Sequence, residues 1–295
     1  LAQVQIPLVH LWQLWAKVKL FVYGIFYIIL SKDTKFQLPT DPGKSRATAT
    51  RTKRILFVRH GESVWNECFN RGFGASFLPT LLWALFREAM LLFSMDSLFF
   101  DSPLSEDGLA QCAKLQEFVE SSEGEEIRKM CEGAVFVTSC LRRAAATVLL
   151  GFSQSLKGGK PVWTVSSLQE ISRNVDTLQF AGPLCAPPLS LPPSLLGPAA
   201  LGSRGQTGRC TRRGLVALSA SAGQYSVGKA SAPCGGMQAA FNSGNKGLQT
   251  NGGQRLEAFC EWVFSDCSPT ALQPTVVVGG HSLWFRTFFQ AFMPH

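Results

Sequence analysis

Two of the four histidines follow apolar runs that end beside glycine. His60 follows residues 55–58, and His281 follows residues 275–278. Short apolar runs bounded by glycine are typical of buried β-strands, and ligands of open α/β sheets bind where parallel strands end. A neutral imidazole is a nucleophile near neutral pH, and a guanidinium such as that of Arg59 binds phosphate through two hydrogen bonds. The two segments therefore indicate one phosphate site at the edge of a parallel sheet.

Phosphoryl transfer at such a site needs cationic groups, a nucleophile in line with the leaving group and an acid that protonates the leaving group. His60 is the candidate nucleophile, and Gly61 would let the backbone approach the phosphate closely. His281 can donate a hydrogen bond to the same anion. Glu170 follows a predicted strand and is the candidate acid. The scheme requires no metal and no cofactor, and the nine scattered cysteines contain no Cys-x-x-Cys pair typical of a zinc site.

The elements that must position these residues alternate along the chain. The sequence predicts strands at residues 55–58, 134–137, 161–165 and 275–278. It predicts helices from about Thr80, over 106–121 and 253–264, and after residues 143 and 281. This alternation predicts a three-layer α/β/α fold with a mostly parallel central sheet. The helix within residues 77–95 is apolar nearly all round, which is typical of a helix that is buried, covers a site or contacts a membrane.

Composition divides the chain of 295 residues into an arm with a linker, residues 1–53, and a catalytic domain, residues 54–295. The domain is interrupted by residues 181–236, which contain seven Pro, ten Gly and no Asp or Glu. This content of Pro and Gly predicts a disordered insert or translated non-coding sequence. The chain begins with Leu1 and ends soon after the last predicted helix, so we expect that sequence is missing at its ends.

The net charge of +8 resides in the arm. Residues 1–59 hold ten Lys or Arg and two acids, whereas residues 60–295 hold eighteen of each. The balanced charge of the domain argues against nucleic-acid binding, which needs a basic face on the folded body. A basic arm beside the apolar residues 6–30 fits an anionic membrane surface.

Residues 6–30 either span a membrane or lie in its interface, with a core helix and a targeting remnant as alternatives. Their charge-free part, residues 20–30, is shorter than the ~20 residues that cross a bilayer. If they span, the basic residues that follow place the domain on the cytoplasmic side. The odd number of scattered cysteines also predicts a reducing, intracellular compartment.

Residues 56–66, from Leu-Phe-Val-Arg-His-Gly-Glu-Ser to Asn66, resemble the signature of the histidine phosphatase superfamily, the phosphoglycerate mutase-like proteins. Three later segments resemble further motifs of that family in the same order: residues 101–108, 138–144 and 280–282. The resemblance covers roughly residues 54–178 and 242–293.

The resemblance implies a phosphomonoester hydrolase that acts through phosphohistidine at His60. It implies that Glu170 serves as acid and then as base, and that the phosphate is held by Arg59, Asn66, Arg143 and His281. The implied substrate is a small phosphorylated molecule or a phosphoprotein. The Glu-Arg-His-Tyr-Gly motif of cofactor-dependent mutases is absent, which favours hydrolysis. A mutase and a membrane-associated binding protein with the same fold are the alternatives.

Overall fold

The computed structural model describes residues 2–37, 51–72, 74, 76–189 and 236–292. The predicted linker is residues 31–53, and most of it, residues 38–50, lies outside the described residues. The same holds for residues 190–235, which form the greater part of the predicted insert.

Five parallel strands form the central sheet: β1 (Arg54–Arg59), β2 (Val135–Ser139), β3 (Val162–Val165), β4 (Met237–Phe241) and β5 (Thr275–Gly280). Their spatial order is β1-β5-β2-β3-β4, and every described pair is parallel. Arg59 is in register with Gly280, and Thr138 is in register with Gly279. The carboxyl ends of β1, β5 and β2 therefore meet side by side, which brings the segments around residues 60, 140 and 281 together.

The helices of the described residues are α1 (Ala2–Leu30), α2 (Val64–Phe69), α3 (Phe77–Met90), α4 (Glu106–Glu120), α5 (Glu125–Glu132), α6 (Arg142–Gly151), α7 (Gly252–Phe264) and α8 (Ser282–Phe292). One face of the sheet packs against α4, α5 and α6, and the other packs against α7 and α8. Phe136 and Phe152 lie in the first apolar cluster, and Phe259 and Trp284 lie in the second. The predicted three-layer α/β/α fold with a mostly parallel sheet is confirmed.

Three described elements were not predicted. Helix α2 has no counterpart among the predicted helices, and Ser63 starts it by accepting a hydrogen bond from the Asn66 amide. Helix α5 was not predicted either. Strand β4 follows the Pro- and Gly-rich segment directly and lacks β-branched residues, so its local sequence gives a weak strand signal. Pairing with β3 makes it a strand.

Helix α1 packs along the domain. The Tyr23 hydroxyl donates a hydrogen bond to the carbonyl of Lys246 at 2.6 Å, and Tyr27 is completely buried. Beyond α1, Asp33 is buried against Lys246 and Arg255 although it belongs to the predicted linker. The part of α1 from His10 to Leu30, with a mean hydropathy of 1.4, is long and apolar enough to cross a membrane by length and composition alone.

Candidate active site

His60 lies at the carboxyl end of β1, next to β5. Its backbone amide donates to the carbonyl of Gly280 at 3.0 Å, which continues the strand register by one residue. Its ring Nδ1 donates to the carbonyl of Gly61 at 2.6 Å. This hydrogen bond selects the tautomer with the proton on Nδ1, so the Nε2 atom carries the free lone pair. Burial, helped by the charge of Arg143, lowers the pKa of His60 to about 3, so the ring is neutral at physiological pH.

His281 stands beside His60 because β5 is the neighbour of β1. The two ring centroids are 5.0 Å apart, and the His281 side chain is fully buried. Its Nε2 atom is hydrogen-bonded to the Ser139 hydroxyl at 2.9 Å. Its Nδ1 atom has no hydrogen-bond partner among the described residues, although Glu170 Oε2 lies 3.9 Å away. Burial lowers the pKa of His281 well below its usual value, and the charge of Arg143 acts in the same direction.

Glu170 follows a short 3-10 turn, Ser166–Leu168, which itself follows β3. Its Oε1 atom accepts hydrogen bonds from the Ile171 amide at 3.1 Å and from the Trp284 amide at 3.0 Å. The Trp284 amide belongs to the first turn of α8, whose partial positive charge would favour a carboxylate. Burial nevertheless outweighs these contacts and the charge of Arg143, and it raises the pKa of Glu170 to about 7. The carboxyl group can therefore hold and release a proton near neutral pH.

The two adjacent arginines at the start of α6 have different surroundings. Arg142 is buried against Asp96 and its backbone amide donates to Asp101 Oδ1 at 2.9 Å, which ties the helix to the segment between α3 and α4. Arg143 is buried on the side of the histidines, and its guanidinium contacts the Asp176 carboxylate at 3.1 Å. The Nε atom of Arg143 has no hydrogen-bond partner among the described residues. A buried guanidinium donor without a partner is unfavourable unless an anion or another acceptor binds it.

A cavity of about 650 Å³ opens beside His60 and is lined by four of the predicted site residues: Arg59, His60, Gly61 and Asn66. The Arg59 side chain is exposed, and its charge also lowers the pKa of His60. The Asn66 side chain is half-buried and its Oδ1 atom accepts a hydrogen bond from Asn70. Arg143, Glu170 and His281 are buried and do not line this cavity.

Gly61 has a packing role that the sequence analysis did not anticipate. A Cβ atom at this position would lie 2.7 Å from the carbonyl oxygen of Gly108 at the start of α4. The Gly61 amide donates to the Thr147 hydroxyl at 3.0 Å, and that hydroxyl donates to the Arg143 carbonyl at 2.8 Å. The residue after His60 is therefore held by both α4 and α6, which fixes the imidazole relative to Arg143.

The three residues His60, Glu170 and His281 also offer ligand atoms within 4.8 Å of one another, as a divalent metal would require. Two neutral imidazoles and a carboxylate are a common ligand set for transition metals. Arg143, however, is close enough to lower the pKa of both histidines, and its positive charge would repel a divalent cation. The electrostatics of the group favour an anion.

Two residues of the site lay outside the predicted set. Ser139 orients His281 through Nε2, and it stands in the segment 138–144 that the sequence analysis had singled out. Asp176 pairs with Arg143 from a loop between β3 and β4, and no local pattern marks it. Comparison of the chain with protein-family models matches no family, and comparison with curated proteins finds no similar sequence.

Proposed function

We propose that the protein is a phosphomonoester hydrolase that acts through a phosphohistidine intermediate. The observation that carries the proposal is the cluster of His60, Glu170 and His281, whose ligand atoms lie within 4.8 Å of one another, together with two buried groups that lack hydrogen-bond partners among the described residues. His60 Nε2 is left as the nucleophile, while Arg143 Nε and His281 Nδ1 lack partners among the described residues. A tetrahedral phosphoryl group would give both of these atoms an acceptor oxygen.

The chemistry follows from the protonation states. His60 Nε2 attacks phosphorus, the bond from phosphorus to the ester oxygen breaks, and the leaving oxygen takes the proton of Glu170. The resulting carboxylate then removes a proton from a water molecule, whose oxygen attacks phosphorus. The bond from phosphorus to nitrogen breaks, inorganic phosphate leaves, and both His60 and Glu170 regain their starting states. A Glu170 pKa of about 7 suits a group that must act first as acid and then as base.

The proposal is tested by trapping the intermediate. The purified full chain is mixed with a panel of phosphomonoesters carrying a radioactive phosphoryl group, quenched in denaturant and assayed for bound label. We expect label that survives alkali and is lost in acid, as phosphoramidates are, and none in His60→Ala. His10→Ala removes an exposed histidine of α1 and is the matched control. Label retained by His60→Ala, or hydrolysis that continues in that variant, would overturn the proposal.

We also propose that the arm keeps the protein at the cytoplasmic face of a membrane. The support is the apolar helix from His10 to Leu30 followed by a segment rich in Lys and Arg, since basic segments are attracted to the anionic lipids of the cytoplasmic leaflet. The test is protease treatment of sealed membrane vesicles from cells that express the full chain. Digestion of the domain only after the vesicles are opened would overturn this assignment.

A further inference from the structure

Helix α1 packs with its polar side toward the protein. Its buried positions include Gln13, Lys17, Gly24 and Tyr27. Its outward positions are almost entirely apolar: Leu11, Trp12, Trp15, Val18, Phe21, Val22, Ile25, Phe26, Ile28, Ile29 and Leu30. A surface helix of a water-soluble domain has the opposite arrangement. The outer side of α1 therefore suits an apolar environment.

Helix α3 has the same character. Ala84 is the buried residue of the helix, while Trp83 is 61% exposed and Met90 is 73% exposed. The other large apolar side chains on its surface are Leu78, Leu82, Leu85 and Phe86. Of the three roles that the sequence allowed for this helix, burial in the core is wrong. An apolar patch of this extent marks a binding surface.

A partly buried ion pair joins the two helices. Lys17 Nζ lies 3.4 Å from Glu88 Oε1 and donates to the Leu91 carbonyl at 2.7 Å. Near the start of α1, His10 Nδ1 contacts the Phe93 carbonyl at 3.2 Å. These contacts hold α1 against the end of α3 and the residues that follow it.

The exposed charged side chains of the two helices are of one sign. Glu88 is the only acid in the sequences of the two helices, and its second carboxylate oxygen accepts from the Leu98 amide at 2.6 Å. The exposed charges in and just after the helices are basic and include Lys19, Lys32 and Arg87. Apolar side chains flanked by Lys and Arg, with Trp among them, are typical of segments that lie in the interface of an anionic bilayer.

We infer that α1 and α3 form one surface that binds in the plane of an anionic lipid bilayer. The inference extends the membrane association proposed above and does not depend on catalysis. A spanning orientation of α1 would break its contacts with the domain. Lys17 would lose Glu88, Tyr23 would lose the carbonyl of Lys246, and Gly24 would leave its close approach to Val175. The in-plane orientation keeps all three.

The inference is tested with lipid vesicles and the purified full chain. Vesicles of phosphatidylcholine with phosphatidylserine should bind the protein, and vesicles of phosphatidylcholine alone should bind it much more weakly. The double variant Trp83→Ser/Phe86→Ser leaves α1 intact and should weaken binding at least about tenfold, because two large side chains no longer insert. Leu272→Ser is the matched control, since Leu272 is 93% exposed in the loop before β5.

Each other outcome contradicts the inference. If the α3 substitutions leave vesicle binding unchanged and alkaline carbonate fails to extract the native protein from membranes, α1 alone spans the membrane. Equal binding to neutral vesicles would show that the surface does not recognise anionic lipid. A dimer in solution that the α3 substitutions dissociate, without vesicle binding, assigns the surface to a second copy. His60→Ala should bind vesicles like the wild type, so a failed phosphoenzyme assay and failed vesicle binding are separate results.

Discussion

Replacing Glu170 by glutamine should stabilise the folded protein at alkaline pH. Burial raises the pKa of Glu170 from 4.5 to about 7, so the native state keeps this proton over a pH range in which the unfolded chain loses it. Stability therefore falls as the pH rises from about 4.5 to about 7, and the whole shift corresponds to about 3 kcal/mol. Glutamine does not ionise, and its carbonyl can still accept from the Ile171 and Trp284 amides.

Urea unfolding of both proteins at about pH 5 and about pH 8 measures this effect. The free energy of unfolding of Glu170→Gln, relative to wild type, should be about 2 to 3 kcal/mol greater at the higher pH, since part of the shift is already present at about pH 5. Glu257→Gln changes an exposed carboxylate on α7 and should show no such dependence. If the difference between Glu170→Gln and wild type is the same at both pH values, Glu170 ionises normally in the folded protein and cannot be the proposed acid.

The same variant separates the two chemical steps. Loss of the acid should slow hydrolysis of alkyl phosphates by about 10²–10⁴-fold, because their leaving oxygen needs a proton. A nitrophenyl phosphate has a leaving group that departs without one, so His60 should still be phosphorylated. The phosphoenzyme should then accumulate, since no carboxylate is left to remove a proton from the attacking water.

For the wild type, kcat/KM should decline above about pH 7, because Glu170 loses the proton that the leaving group needs, and this decline should vanish in the variant. A variant that hydrolyses alkyl phosphates at the wild-type rate would refute the assignment.

Three further outcomes are expected. Arg143→Met should lower kcat/KM for phosphomonoesters by about 10²–10³-fold, and it should raise the pKa of His60, which NMR titration of the ring would detect. Asp33→Asn should lower the free energy of unfolding by about 3–5 kcal/mol in urea, because it leaves buried cations unpaired. Asp266→Asn breaks the exposed ion pair with Arg51 and should barely change the free energy of unfolding. Dialysis against a chelator should leave turnover unchanged, and a loss that zinc or manganese restores would favour a metal at the His60 and His281 cluster.

The sheet and the paired histidines could be predicted because their signals are local. Each predicted strand is an apolar run, and His60 and His281 are marked by the glycines beside them. Strand β4 could not be predicted, since Met-Gln-Ala-Ala-Phe becomes a strand only by pairing with β3. His60 and His281 lie side by side because β1 pairs with β5. The sequence predicted a parallel sheet whose strand ends bring the two histidines together, and the register of that pairing comes from the structure.

The orientation of α1 and the partners of Arg143 could not be predicted from the local sequence. The apolar residues of a helix are expected on its protein side, but α1 exposes most of its large apolar side chains and buries Gln13 and Lys17. Asp176 and Asp33 are single acids in irregular segments. They become significant only when folding places them against Arg143 and Lys246.

The buried cluster around Asp33 connects the N-terminal arm to the proposed acid. Asp33 Oδ2 contacts Lys246 Nζ at 2.9 Å and accepts from the Ser172 amide at 3.0 Å. Lys246 Nζ also donates to the carbonyl of Glu170 at 2.6 Å. Burial alone would raise the pKa of Asp33, but Lys246 and Arg255 hold it below its usual value, so the carboxylate stays charged. Because Asp33 lies three residues beyond the end of α1, any force that pulls α1 from the domain acts on the same charges that fix the backbone of Glu170. The arm is therefore part of the support of the site, and the proposed membrane binding of α1 would be mechanically linked to the position of the acid.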